Sequence, residues 1–187
     1  MRVIAGVHKG RALRPVPTKS TRPTTDKVKE ALFHMIGPYF EGGTFLDLFA
    51  GSGGLGIEAL SRGMNLGIFV DKHPKAISTI RENVKTLKLD DQVEIYRNEA
   101  FKALKAVSKR DIAFDLIILD PPYGKVSFEE LFESIENYNL LKEDGLVVCE
   151  HTSEQTLSET YGPFEQVRAE TYSNIISVSL YRRNQEA

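Results

Sequence analysis

Thr44-Phe-Leu-Asp-Leu-Phe-Ala-Gly-Ser-Gly-Gly-Leu-Gly56 decides how this chain folds. Thr44 to Ala50 is an apolar run interrupted by one carboxylate, Asp47, as expected of a buried strand. Gly51, Gly53 and Gly56 follow at once, and Ile57 to Arg62 reads as helix. Glycines in a strand-to-helix turn let backbone amides approach a ligand closely, because no Cβ stands in the way. About 20 residues further on, nucleotide-binding folds carry an acidic residue at the end of the next strand, where it holds ribose hydroxyls. Asp71 closes Leu66-Gly-Ile-Phe-Val-Asp71 and occupies that place.

Outward from this unit the chain alternates strands and helices. Pro74 opens a helix running to about Leu87, with Ile77, Ile80, Val84 and Leu87 as its buried stripe. The strand Val93–Tyr96 precedes a helix expected to turn Phe101, Leu104 and Val107 inward. Ser127 and Glu130 form a capping box ahead of a helix carrying Phe128, Leu131, Phe132 and Ile135, and Thr152 with Gln155 suggests another. Phe164–Tyr172 and Ile175–Tyr181 read as a terminal hairpin, which requires an antiparallel strand. Upstream, Arg2–Val16 reads as a small β-hairpin, and 18–25 as an extended connection. The helix after it has Asp26 in its first turn, an expected face of Val28, Ala31, Leu32, Met35 and Ile36, and Gly37-Pro38 as its stop. Alternating βα units imply a parallel sheet with helices on both faces, and such sheets bind ligands beyond the C-terminal ends of their strands. Asp47–Gly56, Asp71, Glu99 and Asp120–Tyr123 all fall at such ends.

Asp120-Pro-Pro-Tyr123 follows the buried run Phe114, Leu116, Ile117, Ile118, Leu119. Two prolines remove two backbone donors and stop the strand. A carboxylate, backbone carbonyls expected to be unpaired, and an aromatic ring remain facing outward. That set suits gripping a flat ring with an exocyclic amine; taken alone it is also an ordinary proline turn.

A length of 187 residues, 41% hydrophobic and 27% charged, fits one globular domain (1–187), divided into a basic extension (1–20) and a core (21–187). Cys149, the single cysteine, permits no internal disulfide and lies in the apolar run Gly145–Cys149. No membrane-length apolar stretch or signal-peptide core is present, so a cytoplasmic location is expected. The net charge of −2 hides an asymmetry: residues 1–30 hold eight basic and two acidic side chains. A basic arm (Arg2, Lys9, Arg11, Arg14, Lys19, Arg22, Lys27, Lys29) on an acidic body points to a polyanion partner, against the alternative of a solvated terminal strand pair. The histidines (His8, His34, His73, His151) show no ligand spacing, so no metal is expected.

These residues resemble the S-adenosylmethionine-dependent methyltransferases of the Rossmann-like class over nearly the whole chain. Phe45–Gly56 looks like their cofactor motif, and Asp120–Tyr123 matches the signature of the branch that methylates exocyclic amines of bases. Arg2-Val-Ile-Ala-Gly6, Lys9-Gly-Arg-Ala-Leu13 and Arg22–Phe33 narrow the resemblance to the bacterial 16S ribosomal RNA guanine-N2 methyltransferases, the RsmD family. The resemblance implies a seven-stranded, mostly parallel sheet with a C-terminal antiparallel hairpin and helices on both faces, plus the N-terminal hairpin. It implies S-adenosyl-L-methionine as cofactor and 16S ribosomal RNA or a small-subunit particle as partner, with no membrane and no metal. Asp47 and the Phe49, Ala50, Gly51, Ser52, Gly53 backbone would face the methionine part. Asp71, with Lys72 beside it, would take the ribose, and Glu99 with Ala100 the adenine edge; Glu99 departs from the Asp usual in the family. Asp120, Pro121, Pro122 and Tyr123 would form the target-base site. Arg2, Lys9, Arg11, Arg14, Arg22 and Thr24 would contact RNA, with Arg22, Thr24 and Thr25 near the cofactor. Three other readings stay open: an adenine-N6 or cytosine-N4 methyltransferase of DNA, a nicotinamide oxidoreductase, and a non-catalytic RNA-binding assembly factor.

Overall fold

The structure is a computed structural model describing residues 1–18 and 24–185. The chain folds as two compact units, Met1–Glu99 and Ala100–Ala187. No helix among the described residues is long and apolar enough to cross a membrane.

In the first unit, three parallel strands carry the frame: β1 (Thr44–Asp47), β2 (Leu66–Asp71) and β3 (Val93–Arg97), with β2 in the middle. Phe45, Leu46, Ile68, Phe69 and Val70 are buried, as parallel strands covered by helices require. Helix α1 (Asp26–Ile36) starts where Thr25 Oγ1 accepts the Val28 amide at 3.3 Å and stops before Gly37. Its buried face differs from the expected one. Lys29 and Phe33 join Val28, Leu32 and Ile36, whereas Ala31 and Met35 are half-exposed. The cause lies on α2 (Gly54–Ser61), which follows β1 and is buried along its whole length. There Glu58 draws Lys29 inward. Helix α3 (Pro74–Thr86) joins β2 to β3 and opens on Pro74, as expected.

Glu58 is fully buried and gathers four donors. Arg62 Nε lies at 2.8 Å and Lys29 Nζ at 3.4 Å, while the Ile4 and Ala5 amides donate to its two oxygens at 2.8 and 3.0 Å. Both cations are spread further: Lys29 Nζ donates to Arg2 O, Arg62 to Pro38 O, and the guanidinium lies 5.0 Å from the Phe33 ring centre. Burial holds the Lys29 ammonium pKa below the ordinary lysine value, against the opposing pull of the Glu58 carboxylate. Ser61 completes the anchorage, its Oγ accepting the His8 amide at 3.0 Å and its carbonyl the Val7 amide at 2.9 Å. The expected N-terminal β-hairpin is thereby reduced. Only one bridge, Arg2↔Ala12, forms, because α2 takes the amides that a strand ladder would use.

The second unit runs α4 (Ala100–Ser108), β4 (Phe114–Leu119), α5 (Phe128–Asn137), β5 (Leu141–Thr152), β6 (Thr160–Tyr161), β7 (Phe164–Tyr172) and β8 (Ile176–Arg183). Strands β4 and β5 are parallel; β8 is antiparallel to β5 and to β7. The expected terminal hairpin turns at Ser173 and Asn174, both at positive φ, a conformation Asn tolerates well. Strand β6, paired through Tyr161↔Phe164 around Gly162 (φ +57), brings the strands among the described residues to eight rather than the expected seven. Ser127 Oγ accepts the Glu130 amide at 3.2 Å and caps α5 as expected. Thr152 and Gln155 start no helix. The Ser153 amide and hydroxyl instead bond to Ile175 O and Asn174 O, tying this segment to the β7–β8 turn. On α4, Phe101 is half-exposed, and Ala100, Ala103, Leu104 and Val107 are the buried set. Cys149 is fully buried in β5, and burial raises its thiol pKa well above the ordinary value, the wrong direction for a nucleophile.

Glu58→Ala strands two buried cations and two backbone amides together. It is expected to destabilise the protein by about 3–5 kcal/mol, read from urea unfolding. A midpoint equal to the parent's would show that Glu58 does not organise this unit.

Candidate active site

Because β1, β2 and β3 are parallel, their C-terminal ends lie along one edge of the first unit. Asp47 ends β1, Asp71 ends β2, and Glu99 follows β3 by two residues. The turn after β1 is pinned by Ala50 N–H to Val70 O (2.9 Å) and Gly53 N–H to Ala50 O (2.8 Å). Asp71 holds the next point, its Oδ2 accepting the Gly51 amide at 2.9 Å and its Oδ1 the His73 amide at 2.9 Å. The acidic residue expected to bind a ligand is therefore also a brace for the turn, and each of its oxygens keeps a second lone pair.

Three glycines have three distinct roles. Gly51 sits at φ +57, and a Cβ built there would meet nothing within 4 Å, so the outer side of the turn is open. Gly53 at φ +85 occupies the N-cap of α2, which has no side-chain cap. Gly56 is a packing residue: a Cβ there would lie 2.3 Å from Phe69 Cε1 and 2.8 Å from Phe45 Cε2. These are the roles such glycines take in dinucleotide-binding turns: tight turn, close ligand approach, helix on strand.

Asp47 and Ala50 are buried, whereas Phe49, Gly51, Ser52 and Asp71 are partly exposed. Lys72 and Glu99 are exposed; the Glu99 amide donates to Asn98 Oδ1 at 2.9 Å, and Ala100 is buried at the start of α4. Thr24 is half-exposed, and Thr25 serves as the α1 cap. Arg22 lies outside the described residues. Asn83, which in the sequence looks like one more helix residue, is 2% exposed and donates to Ser52 O at 2.9 Å. The available signal was a lone amide within the apolar stripe Ile80, Val84, Leu87.

In the second unit Asp120 follows β4 directly and is partly exposed, as is Pro121; Pro122 and Tyr123 are exposed, the tyrosine at 64%. One of the carbonyls expected to be open is taken, since Pro122 O accepts the Lys125 amide at 3.3 Å. The Tyr123 ring presents a broad aromatic surface to solvent.

Arg2, Lys9, Arg11 and Arg14 are all exposed. Three of them are held in place: Arg2 by Asp26 (3.5 Å), Arg14 by Glu82 (3.0 Å) and Arg11 by Thr86 O (3.3 Å). Lys29, counted with the basic arm in the sequence, is buried on Glu58 and adds nothing to an exposed basic surface. His151 is half-buried between Thr152 O (3.0 Å) and Ser179 Oγ (2.9 Å), and burial lowers its pKa. Among the described residues, no group of three or more His, Cys, Asp or Glu side chains could hold a metal ion.

A family model described as conserved hypothetical protein 95 matches residues 1–182. The chain belongs to that family, the RsmD family. YlbH of Bacillus subtilis, provisionally named an rRNA methyltransferase, is 54% identical over 183 residues, covering 98% of this chain and 99% of its own length. Ribosomal RNA small subunit methyltransferase D of Escherichia coli K12 is 30% identical over 184 residues, covering 98% of this chain and 90% of its own. A solved Escherichia coli structure, provisionally named a methyltransferase, superposes with a TM-score of 0.84 at 28% identity and covers 98% and 97% of the two chains. The fold is that of the Rossmann-like methyltransferases, as the resemblance implied.

The packing role of Gly56 separates it from Gly51. Gly56→Ala is expected to cost about 1–3 kcal/mol in urea unfolding, because Phe69 and Phe45 must move, and to cost more than Gly51→Ala. Equal losses at the two positions would contradict this division of roles.

Proposed function

We propose that this RsmD-family protein transfers the methyl group of S-adenosyl-L-methionine to the exocyclic N2 amine of a guanine in 16S ribosomal RNA. The open glycine turn braced by Asp71 carries the reading. Its vacant side at Gly51, the uncapped start of α2 and the lone pairs of Asp71 fit an amino-acid carboxylate and a ribose diol. When bound, the cofactor supplies a methyl group already activated on a sulfonium.

The chain's own residues then have binding and positioning to do. The open side of the turn at Gly51 would receive the methionine end, Asp71 the ribose hydroxyls, and Glu99 the adenine edge. A guanine N2 amine is a weak nucleophile because its lone pair is delocalised into the ring. The Asp120 carboxylate and the Pro121 carbonyl would accept its two protons and turn the lone pair toward the methyl carbon. As the amine nitrogen gains the methyl group and the donor leaves as a neutral thioether, Asp120 would accept the amine proton that is lost. Such positioning is a large share of catalysis when the reagent is already activated. Tyr123 would stack on the base, worth on the order of 1–3 kcal/mol, which offsets part of the few kcal/mol needed to extrude it. Arg2, Lys9, Arg11, Arg14, Arg22 and Thr24 would meet phosphates, which set position without reading sequence.

The same pair of acceptors would serve adenine N6 or cytosine N4. The names carried by the relatives direct the reading to ribosomal RNA of the small subunit. Asp120→Ala is expected to lower labelled methyl transfer to 16S ribosomal RNA by roughly 100-fold or more. S-adenosylhomocysteine affinity should remain near that of the parent. Transfer within a few-fold of the parent would remove Asp120 from the chemistry.

A further inference from the structure

Asn83 lies in the second half of α3, between the buried residues Ile80 and Val84, and is itself 2% exposed. Its amide group joins two segments far away in sequence. Nδ2 donates to Ser52 O at 2.9 Å and to Arg14 O at 3.0 Å, while Oδ1 accepts the Arg14 amide at 2.8 Å. Both N–H groups and the oxygen are thus engaged, and the three backbone partners permit only one orientation of the amide, since a flipped group would set its oxygen against two carbonyls. Ser52 belongs to the glycine turn, and Arg14 to the basic arm.

The two segments meet a second time. Met1 Sδ lies 3.8 Å from Ser52 Oγ, and the Leu13 amide donates to Met1 O at 3.0 Å. Residues 1 and 13–14 therefore form a wall along the turn, with Asn83 bonded to Arg14 on one side and Ser52 on the other. Arg14 is fixed once more by Glu82, the neighbour of Asn83 on α3.

We propose that Asn83 is a positioning residue coupling the glycine turn to the basic arm, so that methyl donor and RNA each raise the protein's affinity for the other. The inference rests on the reading that the turn receives the donor and the arm meets RNA. A ligand that steadies Ser52 steadies the Asn83 amide, and through it the Arg14 backbone. The second ligand then meets a partner whose ordering cost has already been met. Linkage makes the effect equal in both directions.

The test measures the affinity of a 16S ribosomal RNA transcript with and without saturating S-adenosylhomocysteine, for the parent and for Asn83→Leu. The parent is expected to bind RNA about 5-fold or more tightly when S-adenosylhomocysteine is present. In Asn83→Leu the ratio should fall to about one while each ligand still binds alone, an effect that a general loss of stability does not produce. A ratio of one in the parent, or an undiminished ratio in the variant, overturns the proposal. Should the variant fail to fold, hydrogen exchange of the Arg14 amide in the parent decides. Slower exchange on adding S-adenosylhomocysteine supports the coupling, and an unchanged rate overturns it. A parent that binds neither ligand would instead overturn the function proposed above.

Discussion

The first unit depends on the need of buried donors for acceptors. Glu58 answers that need for two side-chain cations and two backbone amides at once, on a helix with no solvent-facing residue. Removing a charged acceptor from such a setting is costly because its partners cannot return to water. The carboxylate explains three features together: the inward Lys29, the rotated face of α1, and an N-terminal segment laid on α2 instead of zipped into a hairpin. A basic segment that could have been a loose tail is thereby held in a defined conformation, with Arg2, Arg11 and Arg14 each placed by a partner.

The same economy of contacts governs the glycine turn. Its amides and carbonyls are shared out between Asp71, Val70, Ala50 and Asn83, and the side at Gly51 is left open. A turn held by these partners is tied to the segments that supply them, Arg14 among them through Asn83. In the second unit, Asp120–Tyr123 carries hydrogen-bond acceptors and a ring face on a short proline-stiffened segment after β4. The proposed reaction needs the orientation of two reagents, one of them already activated.

Much of this was legible in the residues. Strands β1, β2 and β4 announce themselves as apolar runs ended by a carboxylate, and Gly51, Gly53 and Asp71 stand at the spacing that the turn demands. The family followed from motifs spread over the chain. Long-range polar contacts were not legible. Lys29 looks like any basic helix residue until Glu58, 29 positions later, is seen to bury it. Asn83 and Ser61 bond to backbone atoms, which leave no pattern in sequence. The N-terminal hairpin was read from local alternation, and tertiary hydrogen bonds from α2 overrode it. Strand β6, two residues long, is too short to produce any periodicity, and Thr152 with Gln155 imitates a helix start on a segment already committed to the β7–β8 turn.

The acceptor atom is the point on which the account turns. The direct measurement is incubation of the protein and methyl-labelled S-adenosylmethionine with 16S ribosomal RNA from cells lacking the protein, followed by digestion to nucleosides. Label is expected in N2-methylguanosine at a single position. Label in another nucleoside, or transfer to DNA with none to ribosomal RNA, would rule out guanine N2 as the acceptor.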